Sequence, residues 1–273
     1  MLICQLSDLH LCREGIAAYR VVETNMLTER AFRAVAALHP HPDVLLLTGD
    51  LTFDGQDEEY QELLMLLRRH IEIPVFVIPG NHDRRVPMRE QLGDLPGVNS
   101  HPHFIQYAIE NYPVRIIMLD TLAPGADHGE LCEERLAWLD TTLATVPNKP
   151  TLIGMHHPPF ACGVEHMDKI NLQNPGALAK IVAKHPQVER IVCGHVHRPI
   201  TARFAQTICS IAPSAAHQVE LALAPGARGA FVMEPAIAHL HRWTPQDGFV
   251  THTAYVEPFP GPYPFLGDAT AGP

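Results

Sequence analysis

Five short motifs, each with side chains able to bind a metal ion, follow one another along the chain. They are Asp8-Leu9-His10, Gly49-Asp50, Gly80-Asn81-His82-Asp83, His156 and Gly194-His195-Val196-His197. Imidazole, carboxylate and amide ligands without thiolates suit Zn, Fe or Mn and argue against a structural zinc site. Two such metals about 3.5–4 Å apart can support an in-line displacement at phosphorus. The set therefore predicts a binuclear metal centre for phosphoryl chemistry.

The first and last motifs share a spacing of two residues between their polar side chains. In extended backbone, side chains alternate with a period of two, so such a pair projects from the same side. This applies to Asp8 and His10, and again to His195 and His197. We therefore expect each pair to lie on a short extended segment and to face one site.

The two central motifs add a carboxylate, an amide and two glycines. Asp50 has two carboxylate oxygens and can therefore bridge two cations, whereas Asn81 offers a neutral amide oxygen. Gly80 and Gly194 are expected to let the backbone turn sharply and approach the site closely.

Three further residues are expected to act beside the metal ligands. His82 should point into the site without being a ligand, where a protonated imidazole near a leaving oxygen would be a general acid. We expect Asp83 to orient it through a ring N–H; a packed, non-catalytic His82 is the alternative. In the pair His156-His157, neighbouring side chains at a strand end face opposite ways. We expect His156 to be the ligand and His157 to support it.

The elements that must position these motifs alternate between strand and helix. Apolar runs predict buried strands at Leu2–Leu6, Val44–Thr48, Val75–Ile78, Val114–Leu119, Thr151–Met155 and Arg190–Cys193. Helical spacing occurs at Thr24–Leu38, Glu58–His70, Glu133–Ala144 and Gly176–His185, the last preceded by Asn174 as N-cap and Pro175. The pattern indicates an α/β layered fold. Ligands in such folds bind outside the carboxyl ends of strands, where these motifs lie.

The pattern changes after His197. Segments Ile200–Ile211, Gly229–His241 and Phe249–Val256 are predicted as antiparallel strands without intervening helices. We predict a catalytic core over residues 1–200, and C-terminal strands over 201–273 that complete the sandwich, the pocket and an oligomer interface. The Pro- and Gly-rich stretch 258–273 is expected to wrap or fray.

Composition excludes several partners. The 273 residues include 30 acidic and 20 basic ones, for a formal net charge of -10. Binding to a nucleic-acid backbone would need a basic stripe, so no nucleic-acid partner is expected. No signal peptide or membrane-length apolar stretch is found, so no membrane partner is expected. Six scattered cysteines without a Cys-x-x-Cys pair indicate reduced thiols and a cytoplasmic location.

The five motifs, in this order, resemble the signature of the calcineurin-like metallophosphoesterases. The chain is most similar to the bacterial class III cyclic nucleotide phosphodiesterases and, most closely, to their glycerophosphodiesterase relatives. The blocks SDLH, GNHD, MHHPP, CGHVH and a later His217-Gln218-Val219 carry this resemblance over nearly the full length. It implies a four-layer α/β/β/α sandwich with a C-terminal antiparallel extension. Protein phosphatases of the superfamily are disfavoured, because Gly49-Asp50 continues as LTFDG and the third motif is GNHD rather than GNHE.

The resemblance also implies the site. Two metal ions (Fe, Mn, Zn or Co) would share Asp50. One would bind Asp8, His10, Asp50 and His197; the other would bind Asp50, Asn81, His156 and His195. The implied mechanism is attack by a metal-bridged hydroxide, with His82 assisting the leaving alcohol. Substrate-pocket candidates, taken from their place in the resemblance, are Tyr19, Asn25, His166, Met167 and His217.

The expected function is hydrolysis of small phosphodiesters, such as glycerophosphodiesters. Hydrolysis of 3′,5′-cyclic nucleotides is the alternative. A nuclease of the same superfamily is a further alternative, which the acidic composition disfavours. A non-catalytic scaffold would have no reason to keep every ligand type. The apolar C-terminal strands suggest an edge that another copy covers, and hence a homo-oligomer, dimer or higher.

Overall fold

The computed structural model describes residues 1–265, so the last part of the tail predicted to wrap or fray, 266–273, lies outside the described residues. The strands are β1 (Leu2–Leu6), β2 (Val44–Thr48), β3 (Val75–Ile78), β4 (Tyr107–Ile109), β5 (Arg115–Leu119), β6 (Thr151–Met155), β7 (Val188–Cys193), β8 (Ile200–Phe204), β9 (Thr207–Ile211), β10 (Gln218–Val219), β11 (Phe231–Val232), β12 (Ile237–Thr244) and β13 (Gly248–Tyr255). The helices are α1 (Thr24–Ala36), α2 (Asp57–His70), α3 (Arg85–Leu92), α4 (Glu133–Thr145), α5 (Glu165–Asp168) and α6 (Pro175–Lys184).

Two large sheets contain most of these strands. The first has the order β13-β12-β1-β2-β3 and the second the order β4-β5-β6-β7-β9-β8, while β10 and β11 form a small ribbon. Strands β1, β2 and β3 are parallel to one another, as are β5, β6 and β7. Almost every residue of these six strands is buried. Burial on both faces explains why they are continuous apolar runs in the sequence.

Two apolar cores hold the layers together. One joins the first sheet to α1, α2 and the inward-facing residues of the second sheet, among them Ile116, Leu152 and Val192. The other lies between the opposite face of the second sheet and helices α4 and α6, and contains Ile117, Ile153 and Ile191 among others. Adjacent strand residues therefore enter different cores, as the two-residue period requires. The four-layer α/β/β/α sandwich is confirmed.

Helix α2 illustrates how the sequence encodes a helix beside the site. Its first turn holds three acidic residues and its last turn three basic ones, which complement the helix dipole. The Glu59 carboxylate accepts hydrogen bonds from the backbone N–H groups of Asp54 (3.0 Å) and Gln56 (3.1 Å). These bonds satisfy donors that a helix start leaves free, and they tie the preceding loop to the helix.

Several elements differ from the sequence-based expectation. Helices α3 and α5 and strand β4 were not anticipated. The single strand expected over Gly229–His241 is divided into β11 and β12. Strands β8 and β9 form an antiparallel hairpin, but β9 also lies parallel to β7. A purely antiparallel C-terminal region was therefore wrong, because the hairpin returns the chain alongside the parallel sheet.

The C-terminal strands belong to the same two sheets as the motif-bearing strands. Strand β12 lies antiparallel to β1, and β13 lies antiparallel to β12 at the edge of the first sheet. Strands β8 and β9 extend the second sheet beyond β7. Among residues 1–265, no helix combines the length and the apolar character needed to cross a membrane.

Candidate metal centre

The five motifs meet where the carboxyl ends of strands from both sheets come together. Asp8 and His10 follow β1, Asp50 follows β2 and Asn81 follows β3, all in the first sheet. From the second sheet, His156 follows β6 and the pair His195 and His197 follows β7. All of these residues except Asn81 are buried, and Asn81 is partly buried. Residues that lie far apart in the sequence are thereby brought to one place.

Five of the ligand candidates have left-handed backbone, including all four paired residues for which we expected extended backbone. The φ angles are 55° at Asp8, 47° at His10, 48° at Asp50, 73° at His195 and 52° at His197. Such values are uncommon for residues with a Cβ and cluster at functional sites. The residues between the pairs, Leu9 and Val196, are fully buried in the apolar interior. The paired side chains therefore reach one site through local backbone strain, not through strand alternation.

The motif glycines act through close approach. A Cβ on Gly80 would lie 2.2 Å from Oδ1 of Asp50, and a Cβ on Gly194 would lie 2.7 Å from Oδ2 of Asp8. Among the three glycines of the motifs, Gly49 alone combines such crowding with a left-handed φ, of 95°. The chain turns directly after both of the other glycines: the Gly80 carbonyl accepts a hydrogen bond from the N–H of Asp83 (3.3 Å), and the Gly194 carbonyl accepts one from the N–H of Val196 (2.9 Å). The expected turn and the expected close approach are therefore both observed, without a left-handed φ at either glycine.

The first ligand set consists of Asp8, His10, Asp50 and His197, whose potential ligand atoms all lie within 4.8 Å of one another. The Nε2 atoms of His10 and His197 are 3.1 Å apart. Nε2 of His197 is 3.3 Å from Oδ1 of Asp8, and Nε2 of His10 is 3.6 Å from Oδ2 of Asp50. These four residues are the set expected for one metal ion.

The second ligand set is joined to the first by Asp50. Nε2 of His156 lies 3.3 Å from Oδ2 of Asp50 and 3.2 Å from Oδ1 of Asn81. The same Asn81 oxygen lies 3.0 Å from Nδ1 of His195. One Asp50 oxygen thus lies between His10 of the first set and His156 of the second, which is the position that a bridging carboxylate needs.

Backbone groups orient the ligand side chains. Nδ1 of His156 donates to the carbonyl oxygen of Thr48 (2.8 Å), and Nδ1 of His197 donates to that of His217 (2.8 Å). A carbonyl only accepts, so these bonds leave the Nε2 lone pairs directed at the site. The backbone N–H of His195 donates to both carboxylate oxygens of Asp8, at 3.0 and 3.1 Å.

Electrostatics keep the carboxylates ionised. Burial alone would raise the pKa of Asp50, but the charges of His156, His82 and His10 and a hydrogen bond from His156 hold that pKa well below its usual range. Burial lowers the pKa of His156, yet the Asp50 carboxylate outweighs it and raises that pKa to about 9. Burial and the charge of His156 lower the pKa of His195 to about 3. A cation that enters would therefore displace a proton from His156.

The residues present fit bound cations. His10, His156 and His197 each direct Nε2, and His195 directs Nδ1, toward another imidazole nitrogen or side-chain oxygen of the set, at distances of 3.0–3.6 Å. Imidazole nitrogens that face one another and two carboxylates at such short distances are the donor set of a metal centre made of N and O ligands.

His82 lies beside this centre, but Asp83 does not orient it. Nδ1 of His82 donates to the carbonyl oxygen of Phe53 at 2.7 Å, and its backbone N–H donates to Oδ1 of Asp50 at 2.9 Å. The Asp83 carboxylate instead accepts hydrogen bonds from backbone N–H groups of the surrounding loops and from the hydroxyls of Thr52 and Tyr60. The expected Asp83–His82 contact is therefore wrong, because a backbone carbonyl takes its place.

His157 supports its neighbours, as expected. Its Nδ1 is 2.8 Å from the Thr121 hydroxyl and its Nε2 is 3.2 Å from the Asp127 carbonyl oxygen. Its ring is tilted by 50° against that of His195, with the ring centroids 4.6 Å apart. Burial and the charges of His195 and His156 hold the pKa of His157 well below its usual value, so the ring is neutral.

A cavity of about 340 Å³ opens onto the centre. It is lined by His10, Tyr19, Asp50, Asn81, His82, Asp127, His166, Met167, Ile170, His195, His197, His217, Val219, Gly229, Ala230 and Phe231. Four of the five expected pocket residues, Tyr19, His166, Met167 and His217, are in this wall. Asn25 is not: its amide binds the backbone N–H and carbonyl of Cys12, both at 2.9 Å. That candidate contact with substrate is wrong, since the amide braces the loop after β1.

A second cavity of about 890 Å³ shares a wall with the first. The two have Asn81, His82 and Asp127 in common, and the second extends along the start of α3 past Arg84 and Arg89. Most of the candidate ligands therefore face the first cavity, while Asn81 and His82 lie at the border of the two spaces.

Sequence reasoning missed some residues of the site. Phe231 closes the wall near Tyr19, with ring centroids 5.2 Å apart. Thr48 supplies the carbonyl that orients His156. No motif signals either residue, because one acts through an isolated aromatic ring and the other through its backbone.

The chain is similar to known proteins over most of its length. The chain is 39% identical over 269 residues to the "Probable glycerophosphodiester phosphodiesterase GpdQ" of Arcobacter nitrofigilis, covering 98% of each chain. It is 33% identical over 202 residues to the 3′,5′-cyclic adenosine monophosphate phosphodiesterase CpdA of Escherichia coli K12, covering 72% of this chain and 70% of that one.

The fold is also found among solved structures. A dimetal phosphatase from Danio rerio superposes with a TM-score of 0.62 at 14% identity, covering 94% of this chain and 99% of that one. The calcineurin-like phosphoesterase family profile matches residues 1–199, which contain all five motifs. The family resemblance drawn from the motifs is confirmed, and the chain belongs to the calcineurin-like phosphoesterase family.

Proposed function

We propose that this protein hydrolyses glycerophosphodiesters at a centre of two divalent or trivalent cations, Fe, Mn, Zn or Co. The observation that carries the proposal is the position of Asp50, between two sets of N and O ligands. The full-length similarity to a glycerophosphodiester phosphodiesterase supports the substrate class. That similarity includes the C-terminal residues, such as His217 and Phe231, that build the cavity wall.

Different residues of the chain would bind the two cations and donate the proton. One cation would be held by Asp8, His10, Asp50 and His197, the other by Asp50, Asn81, His156 and His195. Such cations lower the pKa of water and neutralise charge on phosphate oxygens. Hydrolysis breaks one P–O ester bond, adds the hydroxyl of water to phosphorus and transfers a proton to the leaving oxygen. Because Nδ1–H of His82 donates to the Phe53 carbonyl, Nε2 is the ring nitrogen left to face that oxygen, and it donates a proton there when the ring is the doubly protonated imidazolium.

The two cavities favour a diester over a monoester. A diester carries an organic group on each side of phosphorus, and two spaces of about 340 and 890 Å³ meet at Asn81 and His82, at the edge of the candidate ligand set. His82 borders both, so it can reach the ester oxygen that leaves. His217 also lines the smaller cavity, and burial and the charge of His197 lower its pKa to about 3. It is therefore a neutral hydrogen-bonding group for substrate.

A cyclic nucleotide is the second candidate substrate. Tyr19, His217 and Phe231 form an aromatic wall, with ring centroids 5.2–5.3 Å apart. A purine base could stack on such a wall, since aromatic rings prefer these separations. The similarity to a cyclic nucleotide phosphodiesterase over 72% of the chain supports this alternative.

We further propose a cytoplasmic homo-oligomer that acts on small substrates rather than on nucleic acid or membranes. The net charge of -10 disfavours contact with a nucleic-acid backbone or an anionic membrane. The six cysteines are unpaired, as is usual in a reducing compartment. The exposed edge strand β13 is a surface that a second copy could cover.

The substrate is tested by comparing kcat/KM for glycerophosphoethanolamine and 3′,5′-cyclic AMP on manganese-loaded protein, with a chelated sample as control. We expect the glycerophosphodiester to be preferred by about tenfold or more. Asp50→Asn should lose both cation and activity. A cyclic AMP rate equal to or above that of the glycerophosphodiester would favour the second candidate. Rates at the chelated level for both would contradict the proposal.

A further inference from the structure

We infer that Tyr60 and Asp83 are positioning residues for His82, holding its ring at the leaving oxygen through the loops on either side. The inference rests on the proposed role of His82 in hydrolysis. Neither residue contacts the His82 ring in the described structure. Both instead fix the backbone that carries it and the backbone carbonyl to which it binds.

The first link is the Phe53 carbonyl. It accepts the Nδ1 hydrogen of His82 at 2.7 Å, and so it determines both the tautomer and the tilt of the ring. Phe53 lies in the loop that follows β2, between Asp50 and the start of α2. A shift of this loop would move the carbonyl and with it Nε2 of His82.

The second link is the Asp83 carboxylate, which is fully buried and accepts five hydrogen bonds. Two come from the backbone N–H groups of Leu51 (3.1 Å) and Thr52 (3.2 Å), and one from the Thr52 hydroxyl (2.9 Å). Another comes from the backbone N–H of Gly80 at 2.9 Å, and the last from the Tyr60 hydroxyl at 3.0 Å. One side chain therefore joins the loop after β2 to the loop after β3.

The third link is the Tyr60 hydroxyl. It donates to Asp83 and accepts a hydrogen bond from the backbone N–H of Arg84 at 2.9 Å. Tyr60 belongs to α2, and its ring is completely buried in the core between helix and sheet. Its hydroxyl therefore anchors the turn on the far side of His82 to a rigid helix.

These contacts surround His82 from both directions along the chain. Its own backbone N–H is held by Asp50, the residue after it by Tyr60, and its ring by Phe53. A general acid must lie within hydrogen-bond reach of the oxygen that it protonates. Removing the hydrogen bonds of Tyr60 or Asp83 should therefore reduce proton donation by His82 more than it reduces cation binding.

Tyr60→Phe tests the inference because it removes only the hydroxyl and keeps the packed ring. Two substrates are compared: glycerophosphoethanolamine, whose alkoxide leaving group needs a proton, and the p-nitrophenyl ester of glycerol phosphate, whose phenolate needs little. We expect Tyr60→Phe to lower kcat about tenfold on the first and to leave the second nearly unchanged. His82→Ala should show the same selectivity with a larger loss, about 10²–10⁴-fold.

Tyr107→Phe is the matched control. Tyr107 is also buried, and its hydroxyl both donates to the Val77 carbonyl and accepts from the Val77 N–H, each at 2.8 Å. Loss of the Tyr107 hydroxyl removes two buried hydrogen bonds to β3 and leaves the hydrogen bonds around His82 in place. We expect it to leave the ratio of the two rates unchanged. Cation content, measured by metal analysis, should equal that of the wild type in both tyrosine variants.

The double variant Tyr60→Phe, His82→Ala gives an independent reading. If Tyr60 acts through His82, the double variant should be no slower than His82→Ala alone. Equal losses on both substrates, or a further loss in the double variant, would overturn the positioning role. If His82→Ala itself slowed both substrates equally, the proposed acid role of His82 would fail instead.

Thr52→Val, which removes one hydroxyl donor to Asp83, should show a smaller loss with the selectivity of Tyr60→Phe.

Discussion

At the scale of single residues, the site depends on glycines, which lack a Cβ, as much as on the side chains of the candidate ligands. A Cβ on Gly194 would lie 2.0 Å from the Ser7 hydroxyl oxygen and 2.7 Å from a carboxylate oxygen of Asp8. Gly194 also precedes His195, whose backbone N–H orients the same carboxylate. The glycine thus allows two loops from different sheets to meet at one ligand.

Gly194→Ala should therefore displace Asp8 and weaken cation binding. A misplacement of about 1 Å at a reacting centre can cost about 100-fold in rate, so we expect a loss of that order in kcat/KM. Metal content after dialysis and kcat/KM at fixed manganese are the measurements. Gly176→Ala is the control, because nothing lies within 4 Å of its Cβ position in α6. It should leave activity unchanged and stabilise the helix by about 0.5–1 kcal/mol. Wild-type metal affinity in Gly194→Ala would show that the loops can separate without harm.

The residue types of the site could be predicted from the sequence, but the way they are held could not. The ordered motifs predicted residues that the fold does bring together, because strand ends in α/β folds converge. No sequence pattern predicts the left-handed backbone of Asp8 and His195, since aspartate and histidine also occur in extended segments. The hydrogen-bond partner of the His82 ring was predicted wrongly. Every residue has a backbone carbonyl, so the sequence does not indicate that the carbonyl of Phe53 is the acceptor.

At the scale of elements, strand β12 places two histidines in the interior away from the metal centre. His241 is completely buried and lies 3.0 Å from the Gln5 side-chain oxygen and 2.8 Å from the Thr251 hydroxyl. His239 is 4% exposed, and its Nδ1 has no partner in the described residues. Burial lowers the pKa of His239 to about 4.

The sign of the resulting pH dependence follows from linkage. The unfolded chain binds a proton at His239 below about pH 6.5, whereas the folded chain resists it down to about pH 4. The stabilising effect of the neutral imidazole is complete above pH 6.5 and is lost as the pH falls towards 4. Between pH 7 and pH 5 this one residue should cost about 2 kcal/mol of unfolding free energy.

His239→Leu removes this titration. Urea unfolding at pH 7 and pH 5 should show a smaller acid-induced loss of stability in His239→Leu than in the wild type. His252→Leu, at an exposed position on β13, is the control and should keep the wild-type pH dependence. Equal acid-induced losses in all three proteins would mean that His239 is protonated within the folded state.

At the scale of the whole molecule, the C-terminal strands cannot be separated from the catalytic layers. The family profile ends at residue 199, yet β12 is the direct neighbour of β1, and β9 the direct neighbour of β7. Both β1 and β7 are central strands only because of these partners. The sequence indicated strands here but not their sheets, because pairing between distant segments leaves no local pattern.

A fragment of residues 1–199 should therefore fail to fold cooperatively, since it would expose the edges of two apolar sheets. A fragment of residues 1–257, which keeps β13 and the Arg30–Glu257 ion pair, should unfold like the full chain. Circular dichroism during thermal unfolding and size-exclusion chromatography distinguish these outcomes. A monomeric, cooperatively unfolding 1–199 fragment would show that the predicted core is an independent domain.

The left-handed backbone at Asp8, His10, Asp50, His195 and His197 has a consequence for protein engineering and for the evolution of this family. A residue with a Cβ in that conformation is less stable there than glycine by roughly 1 kcal/mol. A library screened only for heat resistance or expression would therefore enrich glycine and asparagine at these positions and yield more stable but inactive proteins. By the same reasoning, a paralogue with glycine at several of these positions is best read as a scaffold that has lost its chemistry.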